Sequence, residues 1–124
     1  MSDKVLTVHV ISPEKILYTG EADYVRIPGV MGSFGVMFNH ASLVSEMEIG
    51  VLEVKNGDQR MSMVIDGGFV QVRNNVVNIL ANSGDTKEVL KLDVLRTNLQ
   101  KLVDSKAPSE EIKKVKTRLS LLEK

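Results

Sequence analysis

Cysteine is absent from this 124-residue sequence, and no long apolar run occurs in it. The lack of cysteine excludes a disulfide scaffold and a thiolate zinc site, and it fits a reducing compartment. No run approaches the roughly 18 apolar residues that span a bilayer, and the N-terminus lacks the apolar stretch of a signal peptide. The 16 basic and 16 acidic residues balance, so the total charge indicates no nucleic-acid or membrane surface. We expect a soluble protein of one domain, or of one domain with an appendage.

Glycine and aromatic residues are also absent after Gly84, because all nine glycines and all five aromatics lie at or before it. Charge changes at the same point. Residues 1–84 carry 6 basic and 9 acidic side chains, net −3, whereas residues 85–124 carry 10 and 7, net +3. The break predicts a β-rich docking domain over residues 1–84 and a tail over residues 85–124.

The first region has the alternation of β-strands. Lys4–Ile11 is rich in β-branched residues and apolar on both faces, which predicts a strand buried between sheets. Tyr24–Pro28 is predicted to be a second strand that ends at Pro28, because proline cannot donate to a ladder. Glu46 and Glu48 alternate along a further strand, where they favour a solvated face over a catalytic carboxylate pair.

Turn signals separate these strands at short intervals. Asn56-Gly57 is predicted to be the central pair of a hairpin turn, with both residues at positive φ. Gly67-Gly68 and Asn74-Asn75 are predicted to be the next two turns. Short strands at such spacing indicate an antiparallel sandwich or a flattened barrel.

The tail has the period of helices. Two helices, over about residues 93–104 and 109–123, are predicted to form an antiparallel hairpin through a connector at 105–108, with Asp93 and Ser109 as N-caps. Their apolar stripes are Leu95, Leu99, Leu102 and Val103 in the first helix, and Ile112, Val115, Leu119 and Leu122 in the second. Helices this short are marginal alone in water, so the sheet domain, a partner or a ligand must hold the hairpin.

Signatures of catalysis are sparse. The sequence contains neither a Walker-type phosphate loop nor a G-x-G-x-x-G motif. His9 is expected to pack within its strand, and His40 is expected to form a hydrogen bond in a loop rather than to act as a base. Ser12 and Lys15 match S-x-x-K, but the proline between them argues against the helical turn that this motif needs.

Three glycines spaced by three residues, Gly29, Gly32 and Gly35, leave two interpretations open. One is a shaped loop that exposes backbone to a partner. The other is a set of tight turns in an ordinary β protein.

Three stretches resemble the epsilon subunits of the F-type rotary ATP synthases. They are VHVISPEK at Val8–Lys15, PGVMGSFGVMFNHASL at Pro28–Leu43 and GGFVQVRNNVVNILA at Gly67–Ala81. The resemblance covers essentially the whole chain in the right order, and the second stretch is the most diagnostic. Phe38 and Ser42 depart from it, since the family usually has proline at both positions.

The resemblance implies a non-catalytic rotor subunit. In this family the sandwich holds the gamma subunit and rests on the ring of c subunits, and so couples ion-driven rotation to ATP synthesis. The loop equivalent to Gly29, Val30, Met31, Gly32 and Ser33 is expected to face the c ring. The tail folds down on the sandwich or extends along gamma towards the catalytic alpha/beta head, where it hinders ATP hydrolysis.

The resemblance also implies a nucleotide site. Some bacterial members bind regulatory ATP in the folded-down tail through a motif like [IL]-D-x-x-R-A and arginines of the second helix. Leu92, Asp93 and Arg96 match this motif, and Arg118 falls where one such arginine is expected, but two other positions typical of arginine carry valine and lysine. The hypothesis is a weak or lost ATP site. The alternative is that Asp93 and Arg96 only cap and solvate a helix. No cofactor is required.

Two other function classes stay open. One is a generic β-sandwich binding module whose helical tail dimerises, and the other is a small hydrolase that uses His40. The resemblance places the chain peripherally at the cytoplasmic face of the bacterial cell membrane, with the thylakoid as the alternative and membrane contact only through the complex. No nucleic-acid partner is expected, because the basic tail has no aromatic residue on which bases could stack.

Overall fold

The computed structural model describes residues 4–87 and 92–122, which form eight strands followed by two helices. The strands are β1 (Leu6–Ile11), β2 (Ile16–Ala22), β3 (Tyr24–Gly29), β4 (Gly32–Met37), β5 (Leu43–Asn56), β6 (Gln59–Arg73), β7 (Val76–Ala81) and β8 (Gly84–Thr86). The helices are α1 (Leu92–Asp104) and α2 (Ser109–Leu122). The predicted order, a β region and then a helical pair, is confirmed.

The strands follow one open path, β2-β1-β7-β6-β5-β3-β4, and β8 pairs with β6 beside that path. The described pairings are antiparallel apart from β1 with β7, which is parallel. The path begins at β2 and ends at β4 without closing, so the sandwich alternative is confirmed and the flattened barrel is wrong.

Two long strands build both layers of the sandwich. The first half of β6 pairs with β8, and its second half, from Gly68 to Arg73, pairs with β7. The predicted turn at Gly67-Gly68 is therefore wrong, because β6 continues through these residues at φ +89° and +131°. Glycine is needed here, since a Cβ on Gly68 would overlap the Leu80 carbonyl oxygen.

The hydrophobic core lies between the layers. Its fully buried members include Leu6, Val8, Val10, Val25, Ile27, Leu52, Met63, Ile65, Val70 and Ile79. Only one face of β1 is buried, because Thr7 and Ile11 on the other face are exposed. The prediction of a strand buried on both faces is wrong, since β1 belongs to an outer layer and its second face looks outward.

The turns agree with the predictions in part. Asn74-Asn75 forms the predicted turn, with φ +50° and +63°. The β5–β6 turn is displaced by one residue, because Asn56 pairs with Gln59 and the central residues are therefore Gly57 and Asp58. Gly57 has φ +62°, and a glycine in the first central position is typical of a type II′ turn.

Strand β3 runs one residue past its predicted end. It reaches Gly29, and Pro28 pairs in register with Ser33 of β4. Pairing between β3 and β5 is irregular between Arg26 and Gly29. Proline is tolerated in a strand at such an irregularity, where a ladder bond is already missing.

The connector between the helices has defined backbone geometry. Lys106 takes φ +56°, and the bonds from its N–H to the Val103 carbonyl oxygen and from Ala107 N–H to the Leu102 carbonyl oxygen end α1 as a Schellman motif. The Pro108 carbonyl oxygen accepts from Glu111 and Ile112, so Ser109 is the first helical residue and its prediction as N-cap is wrong.

The tail packs on the sandwich through its second helix. Helix α2 contacts β5 and β6, and α1 packs against α2. Leu95, Leu119 and Leu121 are buried, whereas Val103 is about half exposed and was wrongly placed on the buried stripe. Asp93 lies inside α1, and its side chain is outside the described part of the chain. The domain division at residue 84 stays a prediction; β8 continues from there to Thr86.

Candidate functional site

An exposed apolar row crosses four neighbouring strands on the outer face of the sandwich. Phe69 pairs with Leu80, Leu80 with Ile11, and Ile11 with Ile16. Cross-strand partners share a face of a sheet, and all four side chains are exposed, Phe69 by 55%. Single exposed apolar residues are normal, but a contiguous set indicates an interaction surface. We call Ile11, Ile16, Phe69 and Leu80 the outer apolar row.

Polar residues border this row on one side. In the next register position, Gln71 pairs with Asn78, Asn78 with His9, and His9 with Thr19. The His9 ring Nδ1 lies 2.9 Å from the Thr19 hydroxyl. His9 was predicted to pack within its strand, whereas it belongs to this outer polar border. An apolar strip with a polar border has the composition of a protein interface.

The glycine-spaced loop is the tip of the β3–β4 hairpin. Gly29 pairs with Gly32, which leaves Val30 and Met31 as the two turn residues. Met31 is 97% exposed. The turn lies beside the neighbouring strand, because the Val30 N–H donates to the Glu46 carbonyl oxygen at 3.0 Å. The predicted loop Gly29–Ser33 therefore displays two apolar side chains at one end of the sandwich.

An acidic cleft of about 360 Å³ separates this turn from the tail. Its lining includes the acidic residues Glu46, Glu48, Asp66 and Glu110, together with the apolar residues Val30 and Phe69. Glu46 and Glu48 are exposed on one face of β5, as predicted. The cleft adjoins the outer apolar row at Phe69, so an apolar partner with basic side chains would complement this corner of the molecule.

A network of ion pairs joins α2 to the sandwich. The Arg118 guanidinium binds Asp66 in a two-pronged fashion, with Nη1 to Oδ1 at 2.7 Å and Nη2 to Oδ2 at 2.6 Å. Its Nε donates to Asp85 Oδ2 at 2.8 Å. The Lys15 ammonium donates to the other oxygen of Asp85 at 3.0 Å. We call Arg118, Asp66, Asp85 and Lys15 the tail ion-pair cluster.

The cluster is buried at its centre and partly exposed at its edge. The side chains of Asp66 and Arg118 are 3% and 11% exposed, and the Ser83 hydroxyl also donates to Asp66 at 2.5 Å. Burial acts to raise the pKa of Asp85, but the hydrogen bonds and charges of Arg118 and Lys15 outweigh it and hold that pKa below its ordinary value. Burial acts to lower the pKa of Arg118, and the two aspartates outweigh it and raise that pKa.

The residues predicted to bind ATP lie in different environments. Arg118 is buried against the sheet, and Arg96 is exposed on α1. The side chains of Leu92 and Asp93 are outside the described residues. Arg118 uses Nε, Nη1 and Nη2 on the aspartates and donates from Nη1 to the Lys114 carbonyl oxygen as well. Because Asp66 holds both terminal nitrogens of this guanidinium, a phosphate that took the same fork would have to displace Asp66, and the ATP site at Arg118 stays a prediction.

The candidate catalytic residues have structural partners. The His40 ring donates from Nδ1 to the Ala41 carbonyl oxygen at 2.7 Å, which is the predicted role of a loop hydrogen-bonder. The Ser12 hydroxyl bonds with the Lys15 backbone, while the Lys15 ammonium binds Asp85. Within residues 4–87 and 92–122, no group of three or more His, Asp or Glu side chains could hold a metal ion. In the same described ranges, neither helix is long and apolar enough to cross a membrane.

Sequence reasoning missed the aspartates that bind Arg118. Asp66 interrupts an apolar stretch between Ile65 and Gly67, and an acidic residue at a buried strand position was the available signal. Asp85 and Lys15 form an ion pair although they are 70 positions apart in the sequence. The sequence around each residue gives no sign of this contact.

Comparison with known proteins shows which family this chain resembles. Residues 5–86 match the model of the family described as ATP synthase, Delta/Epsilon chain, beta-sandwich domain. The ATP synthase epsilon chain of Leptospira interrogans serovar copenhageni is 43% identical over 122 residues, which is 96% of each chain. That of Leptospira borgpetersenii is 42% identical over 117 residues, 92% of each chain.

Solved structures share the fold. A chain of the Euglena gracilis mitochondrial ATP synthase, in a structure of OSCP, F1 and c-ring, superposes with a TM-score of 0.73 at 23% identity, over 97% of this chain and 78% of that one. A chain of the Tetrahymena thermophila mitochondrial ATP synthase central stalk and c-ring gives a TM-score of 0.62 at 13% identity, over 94% and 96%. Both likenesses concern the fold.

Proposed function

Because the chain belongs to the ATP synthase delta/epsilon chain family, we propose that it is the non-catalytic epsilon subunit in the central stalk of an F-type ATP synthase, where it couples ion-driven rotation to ATP synthesis. The observation that carries the proposal is the outer apolar row on a sandwich of this family. A subunit that works by docking needs such a surface.

The outer apolar row is the proposed contact with the gamma subunit. The row crosses three intervals between strands, or about 14 Å at a strand spacing of ~4.8 Å, which is wide enough for one helix of about 10 Å diameter. Glu46 and Glu48 at the adjoining cleft would set the orientation of a partner that carries basic side chains.

The turn Gly29–Ser33 is the proposed contact with the c-subunit ring. Its support is the exposure of Met31 at the end of a rigid hairpin. Because the turn has only two central residues, it offers a small apolar contact held at a fixed distance from the core. The chain would then reach the membrane only through the complex, as a peripheral subunit at the cytoplasmic face of a bacterial membrane.

The tail is the proposed regulator of ATP hydrolysis. In the structure it lies against β5 and β6; in the proposal it leaves the sandwich and extends along gamma towards the alpha/beta head, where it inhibits hydrolysis. Support comes from the small apolar contact of the tail, whose described residues include three buried hydrophobic side chains, Leu95, Leu119 and Leu121. Helices of this length need such a contact to persist.

A regulatory ATP site at Leu92, Asp93, Arg96 and Arg118 remains a separate prediction, and the commitment of Arg118 to Asp66 weighs against it. Calorimetric titration with MgATP tests it directly. Binding heat that disappears in Arg96→Ala would support a site on α1. No heat at millimolar nucleotide would remove the idea for this chain.

Co-purification with gamma tests the main proposal. The full chain is mixed with purified gamma, and gel filtration is used to look for a stoichiometric complex. The second candidate, a binding module that dimerises, rests on the same apolar row, and it predicts self-association without gamma binding. Addition of the chain lacking residues 88–124, which keeps β8, to a reconstituted catalytic head tests regulation, since unchanged hydrolysis relative to the full chain would exclude inhibition by the tail.

A further inference from the structure

The contact between the tail and the sandwich is centred on one arginine. Arg118 is the buried charged residue of α2, and it donates to two carboxylates on different strands, Asp66 of β6 and Asp85 of β8. We propose that the tail ion-pair cluster, and not a bound nucleotide, holds the tail against the sandwich. The inference rests on the proposed function only for its regulatory consequence, because the contact itself exists within this chain.

The charges of the cluster are balanced and specifically placed. Two cations, Arg118 and Lys15, face two carboxylates, Asp66 and Asp85, and the Ser83 hydroxyl occupies a remaining site on Asp66. Glu110 lines the cleft beside Asp66, and Lys114 pairs with Glu111 rather than with the cluster. A buried ion pair that loses one partner is strongly destabilising, because the other charge remains without compensation.

The geometry also explains why a nucleotide is not needed. An arginine fork recognises a carboxylate and a phosphate in the same way, with two parallel N–H bonds. Asp66 already occupies that fork at 2.6 and 2.7 Å. A phosphate would have to expel the carboxylate, which is 3% exposed and would keep only the Ser83 hydroxyl as a side-chain donor. The sandwich therefore supplies the anion that a ligand would otherwise bring.

Hydrogen exchange of the α2 backbone amides in the isolated full chain tests the proposal. Arg118→Gln removes the fork, and Lys116→Gln is the matched control, since it removes one positive charge from an exposed position of the same helix. We expect Arg118→Gln to speed exchange in α2 by about 10²–10³-fold, while Lys116→Gln stays within about threefold of the wild type. Amides of β5 and β6 report whether the sandwich remains folded.

A compensating pair separates the ion pair from a general need for this residue. Arg118→Met combined with Asp66→Leu replaces the buried charges with apolar groups, and such replacements are often neutral or stabilising. We expect the double variant to recover most of the α2 protection that Arg118→Gln loses. If Arg118→Gln also exposes the sheet amides, Asp85→Asn decides instead, with an expected increase of about tenfold.

Two results would overturn the proposal. The first is an α2 amide exchange rate in Arg118→Gln that equals the rate in Lys116→Gln. Where Arg118→Gln unfolds the sheet, the rate in Asp85→Asn is compared with Lys116→Gln instead. The second is a tenfold or greater slowing of wild-type α2 exchange on addition of millimolar MgATP, which would show that a nucleotide holds the tail. Hydrolysis by the reconstituted complex is measured separately. If Arg118→Gln loosens α2 but leaves hydrolysis unchanged, the ion-pair role stands and the inhibitory function fails.

Discussion

Phe69 offers the sharpest test of the proposed gamma contact. It lies in the outer apolar row, at the side that adjoins the acidic cleft, and its side chain touches solvent over 55% of its surface. Phe69→Ala removes the largest member of the row and leaves the buried core unchanged. We therefore expect a loss of affinity for gamma from a chain that stays folded.

The size of the loss follows from the exposed surface. A phenylalanine side chain offers roughly 200 Å², and the exposed share of Phe69 is 55%. About 110 Å² is then available to a partner, and at about 25 cal/mol per Å² its burial contributes about 2.7 kcal/mol. Alanine retains part of that contact, so we expect a loss of about 2 kcal/mol, which corresponds to about a 30-fold higher Kd.

The assay is calorimetry of each variant with purified gamma. Met37→Ala is the matched control, because Met37 is 60% exposed but lies on the edge strand β4, outside the row. We expect the control to bind within about threefold of the wild type, and both variants to unfold cooperatively on heating, which shows that each is folded at the assay temperature. If a folded Phe69→Ala binds gamma as tightly as Met37→Ala does, the outer apolar row is not the gamma contact.

Three further predictions concern the sandwich and the tail. Gly68→Ala should lower the free energy of unfolding by about 3 kcal/mol or more, because its Cβ meets backbone atoms. Gly57→Ala is the control at a positive φ in open space, and it should lower the free energy of unfolding by only about 1–2 kcal/mol. Urea unfolding of both variants measures the difference. Lys106→Gly should stabilise the tail by up to about 1 kcal/mol, since it relieves the left-handed backbone after α1, and slower exchange of α1 amides would show this. The pKa of Asp85 is depressed in the folded chain, so its contribution to tail docking is present above its ordinary value of 3.8 and is lost as the pH falls below it. Exchange in α2 measured from pH 6 to pH 3, corrected for intrinsic rates, should rise at the acid end, and Asp85→Asn should abolish that rise.

The sequence predicted the individual strands of this protein better than the way in which they pair. The alternation of apolar residues identified β1, and the pair Asn74-Asn75 identified the turn between β6 and β7. In both cases the sequence signal and the structure that it forms are local. Gly67-Gly68 has the same composition as a turn, yet it is a bend inside β6. Only the pairing of β6 with β5, β7 and β8 distinguishes the two, and that pairing is a property of the whole sheet.

The candidate site was also predictable only where its residues are close together in the sequence. The turn Gly29–Ser33 was identified from its glycines and its family resemblance, and its contact with the c ring stays a prediction. Arg118 was identified from the family resemblance, which implied a nucleotide phosphate as its partner in a weak or lost ATP site. Asp66 became visible as that partner only when folding brought together positions 52 residues apart.

Because β6 bends at Gly68 without ending, the continuity of β5 and β6 affects how a mechanical load would pass through the sandwich. Because both strands run through both layers, the layers share two continuous covalent chains and the long ladder of hydrogen bonds between them. A twisting load applied at the outer apolar row, and resisted at the turn that carries Met31, would pass along peptide backbone and would strain this ladder in shear. The sandwich would therefore transmit such a load between its two layers as one connected unit.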